Sequence, residues 1–329
     1  MALFADFPSR HWYRLSPVSV LLAPLSALMG VIVALRRAAY RLGVLRVHRV
    51  PVPVIVVGNL IVGGAGKTPL VLWLVQALKR RGYRPGIVSR GYGGSAVEPC
   101  GVAPGADPAR FGDEPVLLAE RSGAPVWIGA DRVAAARALL AAHPDRDVLI
   151  LDDGLQHYAL GRDFEIAVED ARGQGNGLLL PAGPMREPAS RAVDARVMNG
   201  VMAPAGAYRM QLVPAKIYLL HDPAQPIELA ALFGKRLHAA AALGYPERFF
   251  ATLRGMGLAP VPHAFPDHHA YMRADLDFPD CDLVLVTEKD AVKCRGLGRS
   301  DIAVVCVDAE VDPALADRVV ERLRGLETP

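Results

Sequence analysis

The chain has 329 residues, 52% of them hydrophobic and 22% charged, with a formal net charge of +3. That balance excludes a disordered protein and provides for a large core and two domains of ordinary size. So small a charge makes no case for a nucleic-acid partner. Four scattered cysteines, without paired or metal-ligand spacing, exclude a disulfide scaffold and read as reduced thiols of a cytosolic compartment.

The first element is an uncharged run from Leu15 to Leu35, rich in Leu, Val and Ala. Arg10 and Arg14 precede it; Arg36, Arg37, Arg41, Arg46 and Arg49 follow. Its length would just cross a bilayer core of about 30 Å. Pro17, Pro24 and three serines interrupt it, so a helix or helical hairpin lying in the membrane interface fits better, its arginines on anionic headgroups. A buried core helix and a true span are the alternatives. No small-residue cleavage site follows, so a removable signal peptide is not expected.

Val54 to Gly58 is strand-like and runs into the glycine-rich turn Asn59 to Thr68, followed at once by an apolar helix from Pro69. Strand, glycine loop and helix in this order cradle nucleotide phosphates, because the backbone approaches closely and the helix N-terminus adds a positive dipole. Gly63, Gly64, Ala65, Gly66, Lys67 and Thr68 are the candidate loop. Lys67 would reach the outer phosphates and the Thr68 hydroxyl a magnesium ion. Ile61 stands where the usual spacing has a glycine. An ordinary turn before a lysine is the competing reading, but the chain has only six lysines.

Further along, the pattern predicts strands at Tyr83–Ser89, Ala124–Ile128, Val148–Leu151 and Phe164–Val168, with helices opening at Phe111 and Asp131. This alternation implies a parallel sheet with helices on both faces. Glu98–Arg110 reads as a surface excursion and Gly173–Pro188 as a loop, with a strand in Val193–Asn199. The Gly/Ala/Pro composition of 200–207 marks a boundary, giving an N-terminal segment 1–46, a nucleotide domain 47–205 and a smaller α/β unit 206–329. Strands are expected there at Leu237–Leu243, Leu283–Thr287 and Ile302–Val307, with helices at Pro246–Gly255 and Pro313–Leu323.

Val148 to Asp153 is a buried strand that delivers Asp152 and Asp153 to its carboxyl end, where open α/β sheets bind ligands. Adjacent carboxylates suit magnesium, which wants one or two hard oxygens besides water and phosphate. Solvated turn aspartates are the plainer reading. A kinase would also need a proton acceptor for the hydroxyl it phosphorylates. Asp113 in Gly-Asp-Glu-Pro and His268 in Phe265-Pro-Asp-His-His-Ala-Tyr271 are candidates. Their plainer roles are a helix cap and a polar surface loop. A soluble P-loop ATPase or GTPase switch, a metallochaperone, or a non-enzymatic membrane adaptor would each use part of this set.

The ordered blocks Val57-Gly-Asn-Leu60, Gly63–Thr68, Ser89-Arg-Gly-Tyr92, Gly112-Asp-Glu-Pro115, Asp152-Asp-Gly-Leu-Gln-His157, Leu180–Pro188, Phe265–His269 and Val286-Thr-Glu-Lys-Asp290 resemble the tetraacyldisaccharide 4'-kinases, the lipid A 4'-kinases of Gram-negative bacteria. The resemblance spans nearly the whole chain, and that family shares the non-standard phosphate loop. It implies transfer of the ATP γ-phosphate to the 4'-hydroxyl of a tetraacylated glucosamine disaccharide 1-phosphate at the cytoplasmic face of the inner membrane. ATP and Mg²⁺ are the implied cofactors, and no obligate protein partner is implied. Asp113 would be the base with His268, chosen over His269 on the Asp-His order. Lys67 and Asp153 would complete the catalytic set. Thr68, Asp152, Asp153 and Glu187 would surround the metal; Arg132, Gln156 and Arg186 would lie near phosphates; Ser89, Arg90 and Tyr92 would lie close to substrate. Domain closure would bring His268 toward Asp113.

Overall fold

In the computed structural model, residues 11–200 and 202–327 are described; Arg10 lies outside them. One mixed sheet runs through the described residues, with helices on both faces. Its first wing orders β7 (Ala195–Asn199), β6 (Phe164–Asp170), β1 (Val54–Gly58), β5 (Val148–Asp152), β2 (Pro85–Ser89) and β4 (Val126–Ile128), all parallel, with β3 (Cys100–Val102) antiparallel at the edge. The second wing is a parallel set of β13 (Ile302–Val311), β12 (Leu283–Thr287), β10 (Leu237–Ala241) and β11 (Val261–Ala264). The long strand β8 (Tyr208–Leu219) joins them, parallel to β7 and antiparallel to β13, and carries β9 (Asp222–Pro226) on the side. The boundary expected near residue 205 thus falls inside a continuous sheet. Glu98–Arg110 is less irregular than the sequence reading had it, since it contains β3 and starts the short α3 (Pro108–Phe111).

Side-chain alternation explains the two-sided core. Ile55 and Val57 of β1 face Leu70, Leu74 and Leu78 of α2 (Lys67–Lys79) and Val116 and Leu118 of α4 (Asp113–Ser122). Val54 and Val56 face the opposite layer with Val133, Ala136 and Leu139 of α5 (Arg132–Ala142). Each fully buried leucine is worth roughly 1.5–3 kcal/mol over its exposed state. The second wing repeats the scheme, with Phe250 and Leu253 of α6 (Glu247–Gly255) on one face and α7 (Glu288–Cys294) on the other. Helix α8 (Ala314–Glu327) crosses back: Leu315, Val319 and Leu323 pack into the first wing's core.

The N-terminal run forms a single helix, α1 (Pro17–Arg41), with Pro24 inside it, rather than a hairpin. Ser16 caps it by accepting the Ser19 N–H at 3.1 Å, with Pro17 at the first helical position. Its inner face carries small residues. Ser26 donates to the Leu179 carbonyl at 2.8 Å, and a Cβ at Gly30 would stand 3.3 Å from the Leu179 side chain. The outer face shows Leu21, Leu25, Leu28, Ile32 and Leu35, each at least half exposed, at alternating spacings of four and three. This is one continuous apolar stripe. The helix is long and apolar enough to cross a membrane and is mostly unburied, which overturns the core-helix alternative.

Candidate active site

The turn after β1 is shaped by two glycines in left-handed backbone, Gly63 at φ 91° and Gly66 at φ 98°. Two asparagines brace it. Asn59 donates to the Gly63 carbonyl at 2.8 Å, and Asn199, from the end of β7, donates to the Ala65 carbonyl at 2.9 Å. Asn199 packs so closely that a Cβ at Gly66 would lie 2.4 Å from its Nδ2. Helix α2 begins at Lys67, so its free N–H groups open toward the turn.

Lys67 is buried, its Nζ 3.6 Å from Asp153 Oδ1. Arg186 Nη1 holds both oxygens of Asp153 at 3.0 and 3.1 Å and lies 3.5 Å from Gln156 Oε1. Gln156 in turn donates to the Asn59 carbonyl at 3.3 Å. Burial pushes the Asp153 carboxyl up, but Lys67 and Arg186 outweigh it and hold the group below its ordinary value. Arg132 is buried at the start of α5. Burial first, then Arg90, brings it down to about 10, while Asp153 and Asp152 pull the other way. Lys67, Arg132, Gln156, Arg186 and the aspartate pair therefore lie in one charged cluster.

Asp152 is different. The Ser89 hydroxyl donates to its Oδ2 at 3.3 Å, but Oδ1 is buried with no partner. Burial, then the nearby Glu114 carboxylate, pushes it up to about 7 against the pull of Lys67. A buried carboxylate oxygen left bare beside a phosphate loop fits a divalent cation, which would supply the missing charge. No three His, Cys, Asp or Glu side chains form a metal cage among the described residues. Magnesium does not need one, because water and phosphate oxygens complete its shell. Glu187, expected at the metal, is fully buried and engaged elsewhere: Tyr158 donates to one oxygen at 2.5 Å and Arg191 to the other at 2.8 Å. Those two bonds give it a structural task that the sequence reading did not assign.

The second cluster joins the two wings. Asp113 is the first residue of α4, whose cap is Gly112, and its Oδ1 accepts the Glu114 N–H at 2.9 Å without capping the helix. It also meets His268, whose Nδ1 is 3.0 Å from both carboxylate oxygens. His269 instead pairs with Asp275 at 3.0 Å, so geometry selects His268. The two already touch, so the expected closure has no gap between them to close. His268 holds a left-handed φ of 62°, unusual for a non-glycine residue, and Tyr92 packs on its ring at 4.9 Å. Gly112 permits this approach, since a Cβ there would stand 2.5 Å from the Tyr92 carbonyl. Burial pushes Asp113 up, but the His268 bond, Lys289 and Lys293 together leave it below its ordinary value. Burial lowers His268, but its bond to Asp113 together with the Asp113 and Asp267 charges leaves it above its ordinary value.

Lys289 ties the clusters together, 3.0 Å from Glu114 and 3.9 Å from Asp113. One cleft is lined by Gly64, Gly66, Lys67 and Thr68 from the first wing and by Tyr245, Arg248 and Lys289 from the second. Sequence reasoning missed Asn199, Arg172, Arg248 and Glu114. Arg172 donates to the Gly64 carbonyl at 3.1 Å, and both it and Arg248 pair with the buried Asp170. Lys289 lies in the quoted Thr-Glu-Lys-Asp block, which was the one signal for it. Arg90 and Tyr92 stay exposed at the rim, and Ser89 is buried on Asp152.

A parallel α/β sheet carrying this loop, with an aspartate pair on the next strand, defines a protein of the phosphate-loop class. The description of the tetraacyldisaccharide-1-P 4'-kinase family matches residues 18–324, and the chain belongs to that family. It is 48% identical to the tetraacyldisaccharide 4'-kinase of Methylobacillus flagellatus, over 98% of this chain and 97% of that one. It is 50% identical to that of Janthinobacterium sp. strain Marseille, over 97% and 96%. Among solved structures, LpxK from Aquifex aeolicus in complex with ATP superposes with a TM-score of 0.77 at 28% identity, over 93% of this chain and 99% of that one.

Proposed function

We propose that this protein is an ATP-dependent lipid kinase. It transfers the γ-phosphate of ATP to the 4'-hydroxyl of tetraacyldisaccharide 1-phosphate, forming lipid IVA in lipid A biosynthesis. Family membership supports the reaction. The single observation that carries the mechanism is the Asp113–His268 contact beside the cleft that contains the phosphate loop.

The chemistry asks mostly for positioning and charge neutralisation. The Gly63–Thr68 backbone and Lys67 grip the phosphates, and Arg132 and Arg186 neutralise oxygens that gain charge. Thr68 and the aspartate pair, with Asp152 Oδ1 foremost, would hold Mg²⁺, which would supply positive charge against the phosphates. Asp113 accepts the proton of the 4'-hydroxyl. In a loose transition state that proton leaves late, so a carboxylate of low basicity suffices. His268 spans both oxygens, keeps the carboxylate oriented and shares the incoming proton. Arg90 and Tyr92 form the rim where the acceptor sugar would lie, with Ser89 buried against Asp152.

The exposed stripe of α1 supports a place at the membrane surface, on the cytoplasmic side where ATP is found, with anionic lipids as neighbours. We take residues 47–205 and 206–329 as the two units flanking the cleft. The test is direct: purified protein, labelled ATP and a disaccharide 1-phosphate lipid should yield lipid bearing a second phosphate. Label that stays in ATP or appears only as free phosphate overturns the proposal.

A further inference from the structure

At the end of α1 that bears Arg37 and Arg41, a hollow opens between the helix and the body of the protein. Arg37, Arg41, Arg49, Arg162 and Arg191 line it, and Glu165 is the one carboxylate on its wall among the described residues. Glu165 is committed to Arg162 at 2.8 Å and to Arg191 at 2.6 Å. Arg49 reaches Asp163 only at 3.4 Å and its side chain is 76% exposed. Arg37 and Arg41 have no ion-pair partner among the described residues. Arg191 is held by Glu187 as well, at 2.8 Å, so the charge left uncompensated in this concave site is that of Arg37 and Arg41. The inner wall is Tyr158, its hydroxyl fixed by Glu187 and its ring flanked by Arg162 and Arg191 at 5.2 and 5.3 Å. Planar guanidinium forks held this way match phosphate oxygens better than any other common anion.

Two features say which phosphate. Arg162 and Glu165 flank the start of β6, and Arg49 precedes β1, whereas the phosphate loop follows the far end of β1. At about 3.3 Å per residue, the five residues of β1 put the hollow about 16 Å from the transfer site. A phosphate seated here is not the one being transferred. Apolar surface also adjoins the hollow: Val47 on its wall is exposed, as are Leu42, Val44 and Leu45 just ahead of it. A ligand with a phosphate at one end and acyl chains at the other fits both surfaces together.

We propose that this hollow is a binding site for the phosphate of an anionic bilayer phospholipid, which fixes the depth and rotation of α1 at the membrane. The proposal rests on the membrane-surface reading above and adds a specific site to it.

The experiment measures partition of the full-length protein, without nucleotide or acceptor, onto phosphatidylcholine vesicles with and without phosphatidylglycerol. A third set carries oleate at matched surface charge. R37A/R41A should lose about 100-fold or more of the phosphatidylglycerol-dependent partition, beyond the about 5-fold per charge of diffuse attraction, and R46A, an exposed arginine outside the hollow, no more than about 5-fold. Wild-type protein should prefer phosphatidylglycerol over oleate. Equal losses per charge, or equal binding to oleate, would mean diffuse attraction and overturn the site while leaving membrane association standing. No partition of wild type onto any vesicle overturns both. A final arm compares acceptors with and without the 1-phosphate. If R37A/R41A abolishes that discrimination and leaves partition intact, the hollow serves the acceptor and the proposal fails.

Discussion

Asp113 and Asp152 are both almost wholly buried, and their carboxyl groups move in opposite directions. Burial acts on both alike, so the partners make the difference. Asp113 has His268 across both oxygens and two lysine ammonium groups 3.9 Å away. Asp152 has one hydroxyl, a carboxylate neighbour and a bare oxygen. The first is held ionised, which is what the proposed proton acceptor requires. The second is left short of positive charge, which is what the proposed cation site requires. Depth in the core therefore says little about the task of a carboxylate; what compensates it says much more.

The comparison breaks most easily at Asp113. Replacing it with Ala should lower kcat by about 10²–10⁴-fold while leaving the KM for ATP nearly unchanged. A turnover within a few-fold of wild type would remove Asp113 as the proton acceptor. His268→Gln should cost less, because the carboxylate stays. With His268 gone, burial is less well opposed and the Asp113 carboxyl rises. Activity should then fall away at a higher pH than in wild type, and an unmoved acid limb would show that His268 does not support Asp113.

Asp152 gives the next effect. With its carboxyl at about 7, a bound proton competes with Mg²⁺ below that pH. The Mg²⁺ concentration for half-maximal activity should therefore rise about tenfold per unit below pH 7. Stability without metal carries the opposite sign. The folded-state pKa lies above the unfolded one, so the stabilisation is fully present at low pH and is lost as pH rises through 7. Asp152→Asn should accordingly raise Tm by several degrees at pH 8, less at pH 5 and hardly at all at pH 3, below the unfolded carboxyl's own pKa, while crippling Mg²⁺-dependent turnover. A Tm gain that does not vary with pH would show that Asp152 is compensated after all.

The same contrast shows how far the sequence could be read. The phosphate loop, the aspartate pair and the Asp113 and His268 blocks are local patterns, each whole within a dozen residues, and each occupies the cleft or its margin. The braces were not legible because they are long-range. Asp170 gathers Arg172 and Arg248 from opposite wings, and Asn199 is a lone amide at a strand end. The antiparallel seam was hidden by Pro214, a residue that argues against a strand; it is tolerated beside the irregularity between Val305 and Val307. Separation along the chain also left undecided whether Asp113 meets His268 or His269. Only the fold brings one of them to 3.0 Å.

The smallest effect tests whether the loop is pre-shaped by its braces or only by its glycines. Asn199→Ala removes one buried hydrogen bond to the Ala65 carbonyl and should cost about 1 kcal/mol of stability. The KM for ATP should rise by a few-fold, with little change in kcat at saturating nucleotide. Gly66→Ala should do more harm. It places a Cβ 2.4 Å from Asn199 Nδ2 and also forces a side chain into a backbone at φ 98°. The two contributions separate in the double variant. If Asn199 makes the loop rigid by close packing, Gly66→Ala should be milder in the Asn199→Ala background, because the clash is gone. What persists is the backbone strain, of order 1–3 kcal/mol. Strict additivity of the two substitutions would mean that the amide and the glycine act independently, and that the loop takes its shape from backbone conformation alone.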